Sequence, residues 1–290
     1  MRRLLKQALP PFFYSWLRSF VHLVRYKQPL DPQVEDLKRV HDTLNSGCNA
    51  PKLVLRAGLR FRLHPESVES FKAFCYTYPP MVEEMDAFLR LTTGGQRLLD
   101  VGALHGVFSL AFVGSDPGRR AVAVDASPIA FARLLYNIHQ NSPRQVVPVE
   151  CALSSESGTV AMHYEWEHAV AAGTGGENSG QVVKMISQRG DELCQRLAFE
   201  PDVIKIDVEG HEIKVLKGLE TTIAATRPII FLEVHPLRIQ QEQDSLGDLV
   251  SMFEKWGYEV LNLEGRKVAA DEFAKAREDI RVVLSPVAAN

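Results

Sequence analysis

Asp207, Glu209, His211 and Glu212 cluster around Gly210 in the stretch PDVIKIDVEGHEIKVLKGLE. Val203, Ile204, Ile206 and Val208 in the same stretch read as a strand buried on both faces, a setting that rarely tolerates charge. A second strand-like run, PIIFLEVH, ends in Glu233 and His235, which bracket Val234 and so point the same way. A carboxylate or imidazole within hydrogen-bond reach of a reacting hydroxyl can take its proton, an effect of about 10²–10⁴-fold. Asp207, Glu209, His211, Glu233 and His235 are the candidates for that catalytic role, and spacing alone does not choose among them. Plainer roles compete. Glu209 can bond amides at the following helix start, and His211 and Glu212 can be solvated first-turn residues. Glu233 lies in an otherwise apolar strand, where a buried carboxylate needs a partner; Lys205 is either that partner or an edge residue.

Strands and helices must place these groups. From Leu98 the pattern is regular: RLLDVGA reads as a strand entering a Gly-containing turn, with a helix starting at Val107. AVAVDAS is a second strand followed by a helix over 129–141, VVPVECALS a third, and 158–166 a short extra one. VIKIDV is the fourth, with a helix through Leu219, and PIIFLEVH the fifth, with a helix over 246–256. Two late strands, near 258–263 and 280–284, bring the main set to seven. This alternation predicts an α/β domain with a mainly parallel seven-stranded sheet and helices on both faces. Ligands bind such sheets beyond the carboxyl ends of the strands, near the topological switch point. Upstream, 31–47 reads as a polar-faced helix and 81–91 as another. Between them LVLRAGLRFRL alternates, with Leu59, Phe61 and Leu63 on one side, Arg60 and Arg62 on the other, and Gly58 at a turn or bulge. The expected organisation is a basic segment over 1–30, an accessory lead-in over 31–94 and the main domain over 95–290.

The first strand runs into D-V-G-A-L-H-G, with Asp100, Gly102 and Gly106 in the spacing D-x-G-x-x-x-G. A dinucleotide loop, G-x-G-x-x-G, brings amides against a pyrophosphate. S-adenosylmethionine has no phosphate, and a leading carboxylate can meet its cationic amino-acid end while Gly102 lets the backbone approach. A tight strand-to-helix turn with an acid is the plainer reading. Asp125, at the second strand end about 20 residues on, stands where an acid accepts from both ribose hydroxyls. Ser127 is equally suited to capping the next helix.

LLDVGALHGVFSL, VDASPIAFARLLYNI, CALSSESGTV, PDVIKIDVEGHEIKVLKGLE and RPIIFLEVH, in that order over roughly 97–235, resemble the FkbM-type methyltransferases. The resemblance implies a Rossmann-like class I fold, S-adenosylmethionine as cofactor, and methylation of a hydroxyl, often on a sugar of a glycoside, lipo-oligosaccharide or polyketide-derived product. On it, Asp100, Gly102, Ala103 and Gly106 fall on the cofactor loop and Asp125, Ala126 and Ser127 around the ribose acid. Ala152 and Asp207 complete the implied cofactor set, Glu209 and Gly210 belong to the signature block, and Glu233 and His235 follow the next strand. Three departures stand out: Leu104 replaces the usual Asn, Asp125 stands where Glu-Pro is usual, and Arg189-Gly190-Asp191 replaces a threonine-leucine-aspartate. A protein that keeps the cofactor fold without turnover is the alternative, supported by Leu104.

With 290 residues, 46% hydrophobic and 24% charged, the chain is neither disordered nor too short for a full core. A net charge of −3 gives no reason to expect nucleic acid, and no N-P-P-Y-like block or Y-x-x-x-K pair points to base methylation or oxidoreduction. Cys48, Cys75, Cys151 and Cys194 show no C-x-x-C pair, which suits a cytoplasmic setting. No metal is assigned, although Asp207 with Glu209 or His235 has the donors for a subsidiary Mg²⁺ clamp. Residues 1–27 carry Arg2, Arg3, Lys6, Arg18, Arg25 and Lys27 with no acid before Asp31. Phe13, Trp16, Leu17, Phe20 and Val24 stripe one helical face there. That helix either packs on the main domain or lies at the inner face of an anionic membrane, contacting it peripherally. The expected partner is a small-molecule or glycan acceptor.

Overall fold

The computed structural model describes residues 52–287 apart from 56, 78–79, 142–143, 166–167 and 172–181. The basic segment of residues 1–27, the helix expected over 31–47 and the Gly-rich stretch 173–180 lie outside the described residues. The lead-in begins with an antiparallel hairpin, β1 (Lys52–Val54) and β2 (Arg60–Arg62), turned at Gly58 with φ of 80°. Phe61 and Leu63 are buried and Arg60 and Arg62 exposed, as the alternation requires. Helices α1 (Pro65–Thr77) and α2 (Pro80–Leu91) follow, α2 where the apolar spacing placed a helix and α1 with no counterpart in the sequence reading.

The alternating part runs β3 (Arg97–Val101), α3 (Val107–Ser115), β4 (Arg120–Asp125), α4 (Pro128–Asn141), β5 (Val146–Glu150). An excursion of β6 (Ala152–Ser154), β7 (Gly158–Glu165), β8 (His168–Ala171) and β9 (Val183–Arg189) leads to α5 (Gly190–Leu197). Then come β10 (Val203–Ile206), α6 (Glu212–Gly218), α7 (Glu220–Thr226), β11 (Ile229–Val234), α8 (Pro236–Gln241), α9 (Leu246–Trp256), β12 (Tyr258–Leu261), α10 (Ala270–Phe273) and β13 (Ile280–Pro286). Helix α9 starts in a capping box between Ser245 and Asp248 and stops at Gly257 in the left-handed region.

Seven strands make the main sheet in the order β12–β13–β11–β10–β3–β4–β5. All neighbours are parallel except β13, which runs antiparallel between β11 and β12. This is the class I methyltransferase order, with helices on both faces. The chain steps outward from β3 to β4 and β5, then returns to lay β10 on the other side of β3, so the switch point lies between β3 and β10. β6, β7, β8 and β9 form a separate four-stranded sheet. The single strand expected over VVPVECALS is therefore two. The β4 ladder runs on as far as the Cys151 N–H, which donates to the Asp125 carbonyl at 3.2 Å; beyond it the chain leaves for the second sheet, so the two halves join different sheets.

The lead-in is fastened over the main sheet. Phe88 of α2, fully buried, packs edge-on against Phe108 of α3 and Phe231 of β11, with ring centres 5.2 and 5.1 Å away. The backbone N–H of His64 donates to Asn137 of α4 at 2.7 Å, and Arg133 pairs with Glu66. The helix expected through Leu219 ends at Gly218, within a residue of that bound, and a further helix, α7, follows it directly. Residue 218 is glycine because a Cβ there would meet the Ser154 carbonyl oxygen of β6 at 2.1 Å. Gly218→Ala should therefore lower the unfolding free energy by about 1–3 kcal/mol in urea titration; an unchanged midpoint would mean that α6 can back away from β6.

Candidate functional site

At the end of β3 the chain turns sharply into α3. The N–H groups of Gly102 and Ala103 both donate to the Val124 carbonyl at 2.9 Å, tying the turn to β4. Gly102 has φ of 75°, and a Cβ on it would sit 1.8 Å from the Asp207 carbonyl oxygen. The glycine is thus dictated first by the closeness of β3 and β10, before any ligand. Leu104, with φ of 48°, occupies the left-handed region that Asn tolerates and Leu does not favour. Its N–H donates to Asp125 Oδ2 at 2.7 Å, and the N–H of Ser127 donates to Oδ1 at 2.8 Å. Burial pushes the Asp125 carboxyl up to about 7, against those two amide bonds. Ser127 does start α4, its Oγ accepting from the Ala130 N–H at 3.3 Å.

Asp100 is buried. Its Oδ2 accepts from Ser109 of α3 at 2.6 Å, while Oδ1 has no hydrogen-bond partner among the described residues. Burial raises its carboxyl above the usual range. A buried acceptor without a donor is costly unless a ligand supplies one.

Beyond β10, Asp207 turns its backbone N–H to the Val101 carbonyl at 3.0 Å, and its side chain accepts from Lys205 Nζ at 3.0 Å. Lys205 is no edge residue: β10 lies between β3 and β11, and the side chain is buried with Phe108 4.5 Å beneath its ammonium. Burial opposes its charge, but Asp207, Glu84, Asp100 and Glu233 outweigh burial and hold it protonated. The partner of Glu233 is Arg281 of β13, whose Nη2 donates to Oε1 at 2.5 Å. Arg281 Nε also meets Glu84 of α2 at 2.9 Å, and Lys205 lies 3.9 Å from the other Glu84 oxygen. Burial pushes Glu233 up to about 8, with Asp207 and Glu84 adding to it, and raises Glu84 as well.

His211 and Glu212 are buried, so the solvated first-turn reading fails for both. Glu212 Oε1 accepts from the Gly210 N–H at 3.2 Å and from His235 Nδ1 at 2.6 Å. Burial alone would lower His235, but the Glu212 bond and the charges of Glu209, Glu212 and Asp207 carry it up to about 10. Its Nε2 faces Glu209 at 3.5 Å and Glu233 at 3.9 Å. The same Glu209 oxygen also meets Arg238 Nε at 3.0 Å. His211 pairs its Nε2 with Ser154 Oγ at 3.0 Å, and burial lowers it to about 4, leaving the ring neutral.

A cleft of about 690 Å³, its open mouth included, runs along these strand ends. Gly102, Asp125, Ala126 and Ala152 line it, with Asp207, Glu209 and His211 on the β10 side. A side pocket reaches toward α1 and is lined by Asp100, Ala103, Lys205 and Ser67, among others. Gly102, Leu104 and Asp207 belong to both. The sequence reading put five acids and imidazoles into one cleft; Glu233 and His235 instead stand behind it, engaged with Arg281 and Glu212. Gly106 lines neither space, and a Cβ on it would strike Leu134 at 2.3 Å, so packing dictates it.

Asp207, Glu233 and His235 each bring a ligand-type atom within 4.8 Å of the others. They do not fit a metal ion. Lys205 and Arg281 already neutralise the two carboxylates, and an imidazolium has no lone pair to give. Spacing missed Glu84, Arg281 and Ser154, which reach the site from other elements; a buried charge at Lys205 was the one signal that such partners must exist.

Sheet order, glycine turn and helices on both faces define a Rossmann-like class I methyltransferase fold. Residues 100–260, more than half of the chain, match the methyltransferase FkbM domain, and the chain belongs to that family. The hexuronic acid methyltransferase AglP of Haloferax volcanii is 35% identical over 116 residues, 39% of this chain and 46% of AglP. The methyltransferase sdnD of Sordaria araneosa is 26% identical over 159 residues, 42% of this chain and 60% of sdnD. The 31-O-demethyl-FK506 methyltransferase FkbM of Streptomyces tacrolimicus is 26% identical over 198 residues, 58% of this chain and 74% of that protein. The chain thus spans about half of AglP and three-fifths of sdnD.

Leu104→Asn places a residue suited to positive φ at the turn and keeps the N–H bond to Asp125. It should raise the unfolding free energy by about 1 kcal/mol, read as a higher urea midpoint; a lower midpoint would show that the leucine side chain contributes more than its backbone costs.

Proposed function

We propose that the protein is an S-adenosylmethionine-dependent O-methyltransferase whose acceptor hydroxyl belongs to a sugar or a sugar-bearing small molecule. The unpartnered, buried Oδ1 of Asp100 beside a cleft that presents Asp125 carries the cofactor part. Asp125 keeps one lone pair per oxygen after its two amide bonds, enough to accept from a pair of ribose hydroxyls. Asp100 Oδ1 would accept from the ammonium at the amino-acid end. When bound, S-adenosylmethionine supplies an electrophilic methyl group.

Asp207 and Glu209 are the carboxylates at the cleft wall suited to receive the acceptor's proton. His235 is already protonated, and Glu233 is bound to Arg281; they fix the carboxylates in front of them. His211 helps to wall the cleft and is anchored by Ser154. The sugar acceptor is supported by the printed activity of AglP, a hexuronic acid methyltransferase, and methylation at oxygen by the name of the Streptomyces relative.

Among the described residues no helix is long and apolar enough to cross a membrane. Peripheral contact through residues 1–27 is part of the proposal. Deleting them should abolish co-sedimentation with anionic liposomes and leave cofactor binding intact, whereas an insoluble product would show that the apolar stripe belongs to the core.

Calorimetric titration with S-adenosylmethionine and S-adenosylhomocysteine tests the cofactor, and labelled methyl transfer to neutral and uronic-acid glycosides then tests the acceptor. Asp100→Ala should weaken cofactor binding by about 10–100-fold, the worth of a charge-assisted hydrogen bond. Wild-type protein that binds neither compound would refute the reading. The ribose hydroxyls need ionised Asp125, whose carboxyl is held at about 7. Below that pH, binding must expel a proton, so affinity for S-adenosylhomocysteine should rise by up to about tenfold per pH unit toward 7 and level off above it. Asp125→Asn should flatten the profile; a slope that survives it would assign the proton to another group.

A further inference from the structure

The side pocket has walls of two origins. Ser67 and Phe71 come from α1 of the lead-in, and Asp100, Ala103 and His105 from β3 and the turn that follows it. Asn137 of α4 stands behind both walls, fully buried and lining neither the pocket nor the cleft. Its Nδ2 donates to Ser67 Oγ at 3.1 Å and to the His105 carbonyl at 2.9 Å, and its Oδ1 accepts from the His64 N–H at 2.7 Å. A side-chain amide has two N–H donors, so Asn137 commits one to each wall while its oxygen holds the residue just before α1. Asn141, one turn further along the same helix, bonds the Arg62 N–H and carbonyl at 2.9 and 2.8 Å. It fastens the lead-in at β2 and lines neither space.

We infer that Asn137 is a positioning residue: it sets the gap between α1 and the turn from β3 to α3, and with it the width of the side pocket. The inference rests on the cofactor reading above and deepens it, because under that reading the pocket receives the amino-acid end that Asp100 meets. Losing the amide deprives the His64 N–H, Ser67 and the His105 carbonyl of a common buried partner, and leaves the helix and the turn to shift against each other. The ribose acid Asp125 is oriented by the Leu104 and Ser127 N–H groups instead, so the adenosyl half of a ligand is held by other bonds. The lead-in thereby belongs to the working site and not only to the fold.

The test separates the two halves of the ligand. S-adenosylhomocysteine, which carries the amino-acid end, and methylthioadenosine, which lacks it, are titrated calorimetrically into wild type, Asn137→Ala, Asn137→Asp and Asn141→Ala. Thermal unfolding shows that each variant is folded at the temperature of titration. Asn137→Ala should weaken S-adenosylhomocysteine binding about tenfold, the scale of one lost buried hydrogen bond, and methylthioadenosine binding by less than about twofold. Asn137→Asp keeps the oxygen that His64 needs and loses the donor to the His105 carbonyl. It should show the same selectivity, and it decides the matter alone if Asn137→Ala does not fold. Asn141→Ala should lower the unfolding midpoint and leave both affinities as in wild type. Equal losses for the two ligands, or no loss, in a folded Asn137 variant overturn the inference and leave the cofactor reading standing. So does a selective loss in Asn141→Ala, which would assign the effect to docking of the lead-in as a whole. Wild type that binds neither ligand overturns the cofactor reading and this inference with it.

Discussion

Lys205 is a lysine in the middle of a central parallel strand, with helices over both faces of the sheet, and much of the architecture around the site answers to it. An ammonium taken from water there costs several kcal/mol unless it is paired and hydrogen-bonded. Its partners come from separate elements. Asp207 lies two residues on, Asp100 is its register partner on β3, and Glu84 descends from α2. Glu84 in turn holds Arg281 of β13, which holds Glu233 of β11. One buried charge therefore ties β3, β10, β11, β13 and the lead-in helix α2 into a single assembly. It also explains why α2 is pinned by Phe88 against both α3 and β11, since Glu84 must be delivered one helical turn away from that anchor.

Backbone geometry imposes the second constraint. The β3 turn passes so near the end of β10 that residue 102 can carry no side chain. That closeness puts Asp207 against the loop and joins the cleft to the Asp100 pocket. The same turn hands the Leu104 N–H to Asp125, linking the ends of β3 and β4. Three strand ends are thereby fixed relative to one another by main-chain groups, which leaves the carboxylates pre-positioned rather than dependent on a ligand to gather them.

How much of this could be read beforehand follows from where the information lies. Strand and helix periods are local, so β3, β4, β10, β11 and α9 were legible from the spacing of their apolar residues. The break at Cys151 was not, because nothing in VVPVECALS signals that its second half pairs with β9 rather than β4. Helix α1 and strands β8 and β9 were missed for a similar reason: their placement depends on partners far along the chain. Glu84 and Arg281 are separated by 197 residues, and neither carries a motif. Asp100, Asp125 and Asp207 could be placed at strand ends beforehand because the strand-end rule is topological and applies to any sheet of this kind. That rule brings residues to one edge but does not say which face the cleft and which stand behind it, and so Glu233 and His235 were placed too far forward.

The charge distribution also bears on what the cleft will accept. Asp207 and Glu209 border the cleft, and a carboxylate on the acceptor brought beside them would be repelled. A neutral, hydroxyl-rich face suits that wall, because carboxylates accept from hydroxyls without a charge to oppose. Under the proposed function, an acidic sugar would have to enter with its hydroxyl inward and its acid turned toward Arg238 and Lys214, which lie beyond Glu209 and are themselves paired with Glu209 and Glu242. Under the proposed function, the carboxylate wall therefore suits the neutral, hydroxyl-bearing face of an acceptor.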